Sequence, residues 1–436
     1  VSAGREPLDH RLLPRTAALD AGRLTVGGIS AETLAARHGT PLIVFDEDDL
    51  RYRCRAALAA FGPDQVTYAS KAFLCRAMAR LVSDEGLLLD VASGGELQVA
   101  LDAGVPASRI VVHGNNKSSA ELAEAMTAGV RHLVVDNFDE IERIEKLGAE
   151  GLGPIAVQLR IAPGVGVGSH DAIRTGQLDS KFGFPLVDGI AEAAVAAVRE
   201  SSTMRWHGVH AHAGSQVLDV YQLVEFARAS AAFAVAMDAP ALTLGGGLGI
   251  AYLGADRPAD FAEWRAALAS GASAAGWHGP FVVEPGRAIA GPAALTLYTV
   301  GVIKDIPGVR RYLAVDGGMS DHPRPAMYGS KYEAFLPRAA DAVRPEPYRI
   351  VGKHCESGDL VVDEAWLPEG VRVGDVVAVP VTGAYGYSMA SNYNRLPRPE
   401  VVFVSGGVSR TVLRRETPDD LARLDVFEPD GAQLPG

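Results

Sequence analysis

Seven lysines serve 436 residues, at positions 71, 117, 146, 181, 304, 331 and 353, so a reaction that needs an amine has few candidates. Lys71 follows the run Val66-Thr67-Tyr68-Ala69-Ser70, which reads as a buried strand. An amine at the end of such a strand is desolvated, which favours its nucleophilic form and Schiff-base chemistry with an aldehyde. A lysine there can equally lay its stem along a rim and keep its charge in water. Gly245-Gly246-Gly247-Leu248-Gly249 offers bare backbone N–H groups that can surround a phosphate, although glycine runs also serve tight turns. Gly286 and Arg287 can supply further donors. Glu284 is a carboxylate beside them, and a buried carboxylate needs a partner such as a protonated ring nitrogen. His212 can stack on a flat ring or be an ordinary hydrogen-bonded histidine. His210 and His212 share one face of a strand, as a metal pair would. No further Cys or His cluster in the sequence completes that pair, so a metal is not expected.

These residues need a frame that brings them together. Short apolar runs recur at 66–70, 87–92, 110–114, 132–137, 155–162, 206–213, 241–245 and 281–284. Amphipathic, alanine- and leucine-rich segments separate them, at 72–83, 95–103, 118–128, 138–147, 189–201, 220–237 and 258–275. Buried strands alternating with helices form parallel βαβ units. Eight such strands fit a closed (β/α)8 TIM-like barrel, with an open doubly wound sheet as the competitor. A barrel carries its site at the C-terminal ends of its strands, which is where the polar and glycine residues gather. After about residue 292, short strands separated by Gly, Pro and Asp turns predict a mainly antiparallel β domain. Leu24–Val26 and Leu42–Phe45 can add strands to it. The expected division is residues 42–292 for the barrel, with 1–41 and 293–436 forming the discontinuous β domain.

The balance of 41 basic and 53 acidic residues gives a net charge of −12, which argues against a nucleic-acid scaffold. No uninterrupted apolar stretch approaches the roughly 18 residues of a membrane span. Cys54, Cys75 and Cys355 are too few and too scattered for a disulfide framework, and residues 1–6 lack the apolar core of a signal peptide. Both observations lead to a reducing cytoplasm as the expected location. A lysine, a glycine cradle, a carboxylate and a stacking histidine together meet the demands of pyridoxal 5′-phosphate: an aldehyde, a phosphate, a ring nitrogen and a flat face.

From about Leu24 to Leu424 the chain resembles the diaminopimelate decarboxylases, pyridoxal-phosphate enzymes of fold type III. The resemblance rests on Tyr68-Ala-Ser-Lys-Ala72, Asp90-Val-Ala-Ser-Gly-Gly-Glu96, His212-Ala-Gly-Ser-Gln216, Gly245-Gly-Gly247 and Glu284-Pro-Gly-Arg287. It continues through Asp316-Gly-Gly-Met-Ser-Asp321, Arg324-Pro-Ala-Met-Tyr328, Cys355-Glu-Ser-Gly-Asp359 and Gly383-Ala-Tyr385. It implies that Lys71 carries the cofactor, His212 stacks on the ring and Glu284 pairs with its nitrogen. Ser215 and the glycines 245–247 would bind the phosphate, with Asp90 near the ring and Tyr385 near the phosphate or substrate. Arg287, Arg324 and Tyr328 would hold the distal end of the substrate, Glu356 its ammonium, and Cys355 would donate a proton. The family's Cys-Glu pair reaches the site from the neighbouring subunit, which implies a homodimer with shared sites. The implied reaction takes meso-2,6-diaminopimelate to L-lysine and carbon dioxide through a quinonoid intermediate, the last step of lysine biosynthesis.

A sister decarboxylase acting on lysine, ornithine or carboxynorspermidine would need no carboxylate clamp such as Arg287 and Arg324. An alanine-racemase-like enzyme would carry an arginine where this chain has Glu284. A catalytically dead homologue would have lost Lys71 or the cradle. His322 and Ala213 depart from the family pattern without touching an assigned role. The segment from Gly168 to Gly176, continuing through Ser180-Lys-Phe-Gly183, resembles the family's loop over the active site.

Overall fold

A computed structural model describes residues 5–165 and 180–426, so the segment Gly168–Gly176 lies outside the described residues. The chain forms an α/β fold with two principal sheets. In the first, the strands Thr67–Ala69, Leu88–Val91, Ile110–Val112, His132–Val135, Ile155–Ala162, Met204–Ala211 and Leu242–Thr243 run parallel in chain order. Val282 bridges Thr243 and Val283 bridges Val66, both in parallel, so one segment bonds to both edges of this sheet. These strands are short, β-branched and buried on both faces, the pattern of a sheet covered by crossover helices.

The helices between them follow ordinary start signals. Ser118 caps Ser119–Ala128 in a reciprocal box with Glu121. Asn137 accepts from the Glu140 N–H at the start of Phe138–Ala149, which buries Ile141, Ile144 and Leu147 on one face. The helix Phe261–Ala274 buries Trp264 edge-on against Phe61, with ring centroids 5.2 Å apart.

The second sheet has the order Leu360–Leu367, Glu346–Val351, Arg310–Val315, Ala294–Ile306, Leu42–Asp46, Glu400–Ser405 and Val408–Leu413. Val376–Pro380 also pairs with Ala294–Ile306. It is mainly antiparallel, but two neighbours run parallel: Arg310–Val315 with Glu346–Val351, and Leu42–Asp46 with Glu400–Ser405. Leu42–Asp46 therefore joins the sheet of the later strands, as expected of Leu42–Phe45, so the strand at the sequence boundary of residue 42 pairs outside the parallel unit. Leu24–Val26 does not add to this sheet. It belongs to a separate three-stranded ribbon with Ala18–Asp20 and Ile29–Ser30. None of the described helices is long and apolar enough to cross a membrane.

Candidate active site

A cavity of about 450 Å³ opens at the C-terminal ends of the parallel strands. Lys71, Asp90, His212, Ser215, Gly246, Gly247, Glu284, Gly286 and Arg287 line it, and Arg324, Tyr328 and Tyr385 close it from the other sheet's connections. Twelve of the residues singled out in the sequence thus meet in one space. Gly245 sits behind His212, and Cys355 and Glu356 lie elsewhere, exposed on the surface of this chain.

Lys71 follows the rim alternative of its two readings. The strand ends at Ala69, and Ser70–Ala72 form a 3-10 turn that carries Lys71 out of the buried run. Its side chain is exposed and reaches into the cavity mouth rather than being desolvated. The turn is fixed from both sides: Asp90 accepts from the Ser70 N–H at 3.2 Å, and Glu96 accepts from the Ser70 hydroxyl at 3.1 Å. Asp90 is buried. Desolvation, followed by repulsion from Glu284, pushes its carboxyl well above the usual range.

The glycines are required by space. A Cβ on Gly246 would lie 2.5 Å from the Glu284 carbonyl oxygen, and one on Gly245 would lie 2.6 Å from His212 Nδ1. Gly245 also has φ +62, which side-chain-bearing residues rarely adopt. The Gly246 N–H donates to His212 Nδ1 at 3.1 Å, which places that ring's proton on Nε2. Burial, then the Lys71 charge, holds His212 well below its ordinary pKa, so the ring is neutral.

Glu284 tells a different story from the rejected metal pair. The residues that gather are His210 with His113, not His210 with His212. Glu284 Oε1 lies 3.0 Å from His113 Nε2 and Oε2 lies 3.0 Å from His210 Nε2. The three groups stand together as metal ligands do. Sequence reasoning missed His113, although His113-Gly-Asn-Asn-Lys117 marks the end of the third parallel strand. Burial would raise the Glu284 carboxyl, but the two histidines outweigh it and hold it well below the usual range.

Arg287 and Arg324 are buried, and neither meets a carboxylate among the described residues. Arg287 donates to the Tyr252 hydroxyl at 2.6 Å and to the Ser215 hydroxyl at 2.8 Å. Its guanidinium also lies 4.8 Å from the Tyr385 ring centroid. Arg324 donates to the Tyr332 hydroxyl. Tyr252 and Tyr332 were not singled out in the sequence. The only signal for Tyr252 is its position three residues beyond the glycine run. Two buried cations held by neutral partners leave an unbalanced positive charge, and such a site attracts anionic groups.

The fold and this cavity define an α/β protein with an anion-seeking cleft that presents one amine. Residues 47–291 match the family model for pyridoxal-dependent decarboxylase, pyridoxal binding domain. The diaminopimelate decarboxylase of Mycobacterium tuberculosis is 47% identical over 95% of this chain and 97% of that protein. The Bacillus subtilis diaminopimelate decarboxylase is 46% identical over 93% of this chain and 95% of that protein. Among solved structures, the diaminopimelate decarboxylase of M. jannaschii in complex with L-lysine superposes with a TM-score of 0.87 at 32% identity, covering 95% of this chain and 98% of that one. The chain belongs to the pyridoxal-dependent decarboxylases, in the family of diaminopimelate decarboxylases.

Proposed function

We propose that the chain converts meso-2,6-diaminopimelate to L-lysine and carbon dioxide, with pyridoxal 5′-phosphate bound in the 450 Å³ cavity. The observation that carries this reading is the pair of buried arginines with no carboxylate partner among the described residues, facing the same cavity as Lys71. A diamino acid with a second carboxylate supplies the missing anion, whereas lysine and ornithine do not.

The residues present fit the cofactor. The glycine cradle is one that any Cβ would fill, and Glu284 is an ionised carboxylate in a buried place. When bound, the cofactor supplies an electron sink for the bond broken as carbon dioxide leaves. Lys71 is the amine that would hold it. His212 would stack its neutral ring on the cofactor ring, and Glu284 would keep a proton on the ring nitrogen, with Asp90 lining the same cavity. Ser215, Gly245, Gly246, Gly247 and Gly286 would supply donors to its phosphate, and Arg287 and Tyr385 would serve phosphate or substrate. Arg287, Arg324 and Tyr328 hold the distal carboxylate. Glu356 takes the distal ammonium, and Cys355 returns a proton to the carbon that has lost its carboxylate.

The exposure of Cys355 and Glu356 on this chain supports their acting in a partner's cavity, hence a homodimer with shared sites. The bridges at both sheet edges support a closed (β/α)8 barrel within residues 42–292, while Leu42–Asp46 ahead of its first strand pairs with the β domain of 1–41 and 293–436. Unpaired cysteines support a cytoplasmic location.

The test is to mix the purified protein with pyridoxal phosphate and meso-diaminopimelate and to measure lysine, with lysine and ornithine as rival substrates. Lysine formed from diaminopimelate alone, and lost in Lys71→Ala, is the expected result. Turnover of a rival in its place sinks the arginine-clamp reading. For the dimer, inactive Lys71→Ala and Cys355→Ala chains are unfolded together and refolded. Hybrids with one intact site return roughly a quarter of wild-type activity if sites are shared across a two-fold axis, and none if they are not.

A further inference from the structure

Two histidines flank Glu284 from inside the protein, His210 through a hydrogen bond and His113 at ion-pair distance without hydrogen-bond geometry. His113 Nε2 stands 3.0 Å from Oε1, and His210 Nε2 stands 3.0 Å from Oε2. The two rings meet edge to face with centroids 4.9 Å apart, so each fixes the tilt of the other. His210 is buried, and its Nδ1 has no hydrogen-bond partner among the described residues. Its ring proton therefore sits on Nε2, where it meets the carboxylate. The other tautomer would set a lone pair against a negative oxygen. Burial brings His210 down to about 4, so the donor is a neutral imidazole.

The neutrality matters. A cationic histidine would cancel the charge of Glu284, whereas a neutral N–H donor orients the carboxylate and leaves its charge available. Asp90, Arg160, His132 and His212 are the other titratable groups that interact with the Glu284 charge.

We propose that His113 and His210 are positioning residues that hold Glu284 ionised and fixed, and so set how firmly the protein keeps a proton on the ring nitrogen of its cofactor. The proposal rests on the assignment of Glu284 to that nitrogen. It extends the site inward, to two side chains that do not line the cavity.

The test compares the affinity of the cofactor-free protein for pyridoxal phosphate and for its analogue with carbon in place of the ring nitrogen. Wild type is expected to favour the natural cofactor by about tenfold or more, the worth of one charge-assisted hydrogen bond. Glu284→Gln should abolish the preference. If it does not, the assignment of Glu284 is wrong and the proposal falls with it. With that established, His210→Phe and His113→Phe should each shrink the preference several-fold, and His210→Gln, which keeps a donor at the same reach, should restore it. A preference untouched in both phenylalanine variants would show that the histidines only pack. The ¹⁵N signal of a labelled ring nitrogen gives a second reading and should move toward the unprotonated value in the phenylalanine variants. Stoichiometric metal in the purified protein would overturn the proposal, because the three groups would then be ligands.

Discussion

Tyr252 couples the two buried arginines: its hydroxyl accepts from Arg287 at 2.6 Å, while the Arg324 guanidinium lies 4.7 Å from its ring centroid. Tyr332 completes the arrangement, with its ring 5.0 Å from that of Tyr252 and its hydroxyl bonded to Arg324. The tyrosines hold both guanidinium planes without neutralising them. Tyr252→Phe keeps the ring and removes one charge-assisted hydrogen bond worth about 1.5–3 kcal/mol. The KM for diaminopimelate is expected to rise roughly tenfold or more, with a smaller fall in kcat. Steady-state kinetics checks this, and an unchanged KM would remove Tyr252 from substrate binding.

The glycine cradle offers a sharper test of shape. Gly246→Ala places a methyl group 2.5 Å from a backbone carbonyl that cannot swing aside. Overpacking of this kind costs about 1–3 kcal/mol. Cofactor affinity should fall by roughly ten- to a hundredfold, measured by absorbance titration of the cofactor-free protein.

Lys117 is buried with its amine 2.5 Å from Glu140 and 2.7 Å from two carbonyl oxygens. Burial lowers the lysine's pKa and raises that of Glu140, with each partner opposing the other's shift. Lys117→Met leaves an unpaired buried carboxylate, at a cost of about 3–5 kcal/mol. The thermal midpoint should drop clearly, and Glu140→Leu in the same chain should recover most of the loss. Failure of the second change to rescue would show that the carbonyl contacts, not the ion pair, dominate.

Asp321 gives a pH dependence with a definite sign. Burial raises its carboxyl from 3.8 to about 7, although the Tyr298 hydroxyl and the Gly318 N–H donate to it. Between these values the unfolded chain has released a proton that the folded chain keeps. Stability therefore falls as pH rises from about 4 to 7, by up to about 4 kcal/mol. Asp321→Asn, which resembles the protonated acid, should flatten that part of the stability profile. Unfolding midpoints at pH 4.5 and 7.5 check it. A profile identical to wild type would place the carboxyl's transition elsewhere.

Much of the architecture was legible because the parallel strands are buried on both faces and read as unbroken apolar runs. Ile155–Ala162 was found at its observed limits for this reason. Leu242–Thr243 is only two residues long, because the chain turns at once into the glycine cradle. The helix Glu47–Phe61 was passed over, although Asp46 caps it and three acids fill its first turn. Within the site, residues carrying local motifs were legible: Lys71, the glycines, Glu284 and the two arginines. Those that act through a partner far along the chain were not. Nothing local to Tyr332 announces Arg324's guanidinium, and nothing local to His113 announces Glu284. The choice between the two readings of Lys71 is not legible in the sequence, because one 3-10 turn decides it and strand patterning does not register a turn of three residues.

The strand Leu42–Asp46 is flanked by Ala294–Ile306 on one side and Glu400–Ser405 on the other. During synthesis it leaves the ribosome long before Glu400–Ser405 emerges to cover its second edge. Until then it is an unprotected row of donors and acceptors, bearing Leu42, Ile43, Val44 and Phe45. Contacts of such long sequence separation form slowly. Nascent or prematurely terminated chains thus expose an adhesive edge, and the demand on chaperones falls late in translation, after the α/β half has already emerged.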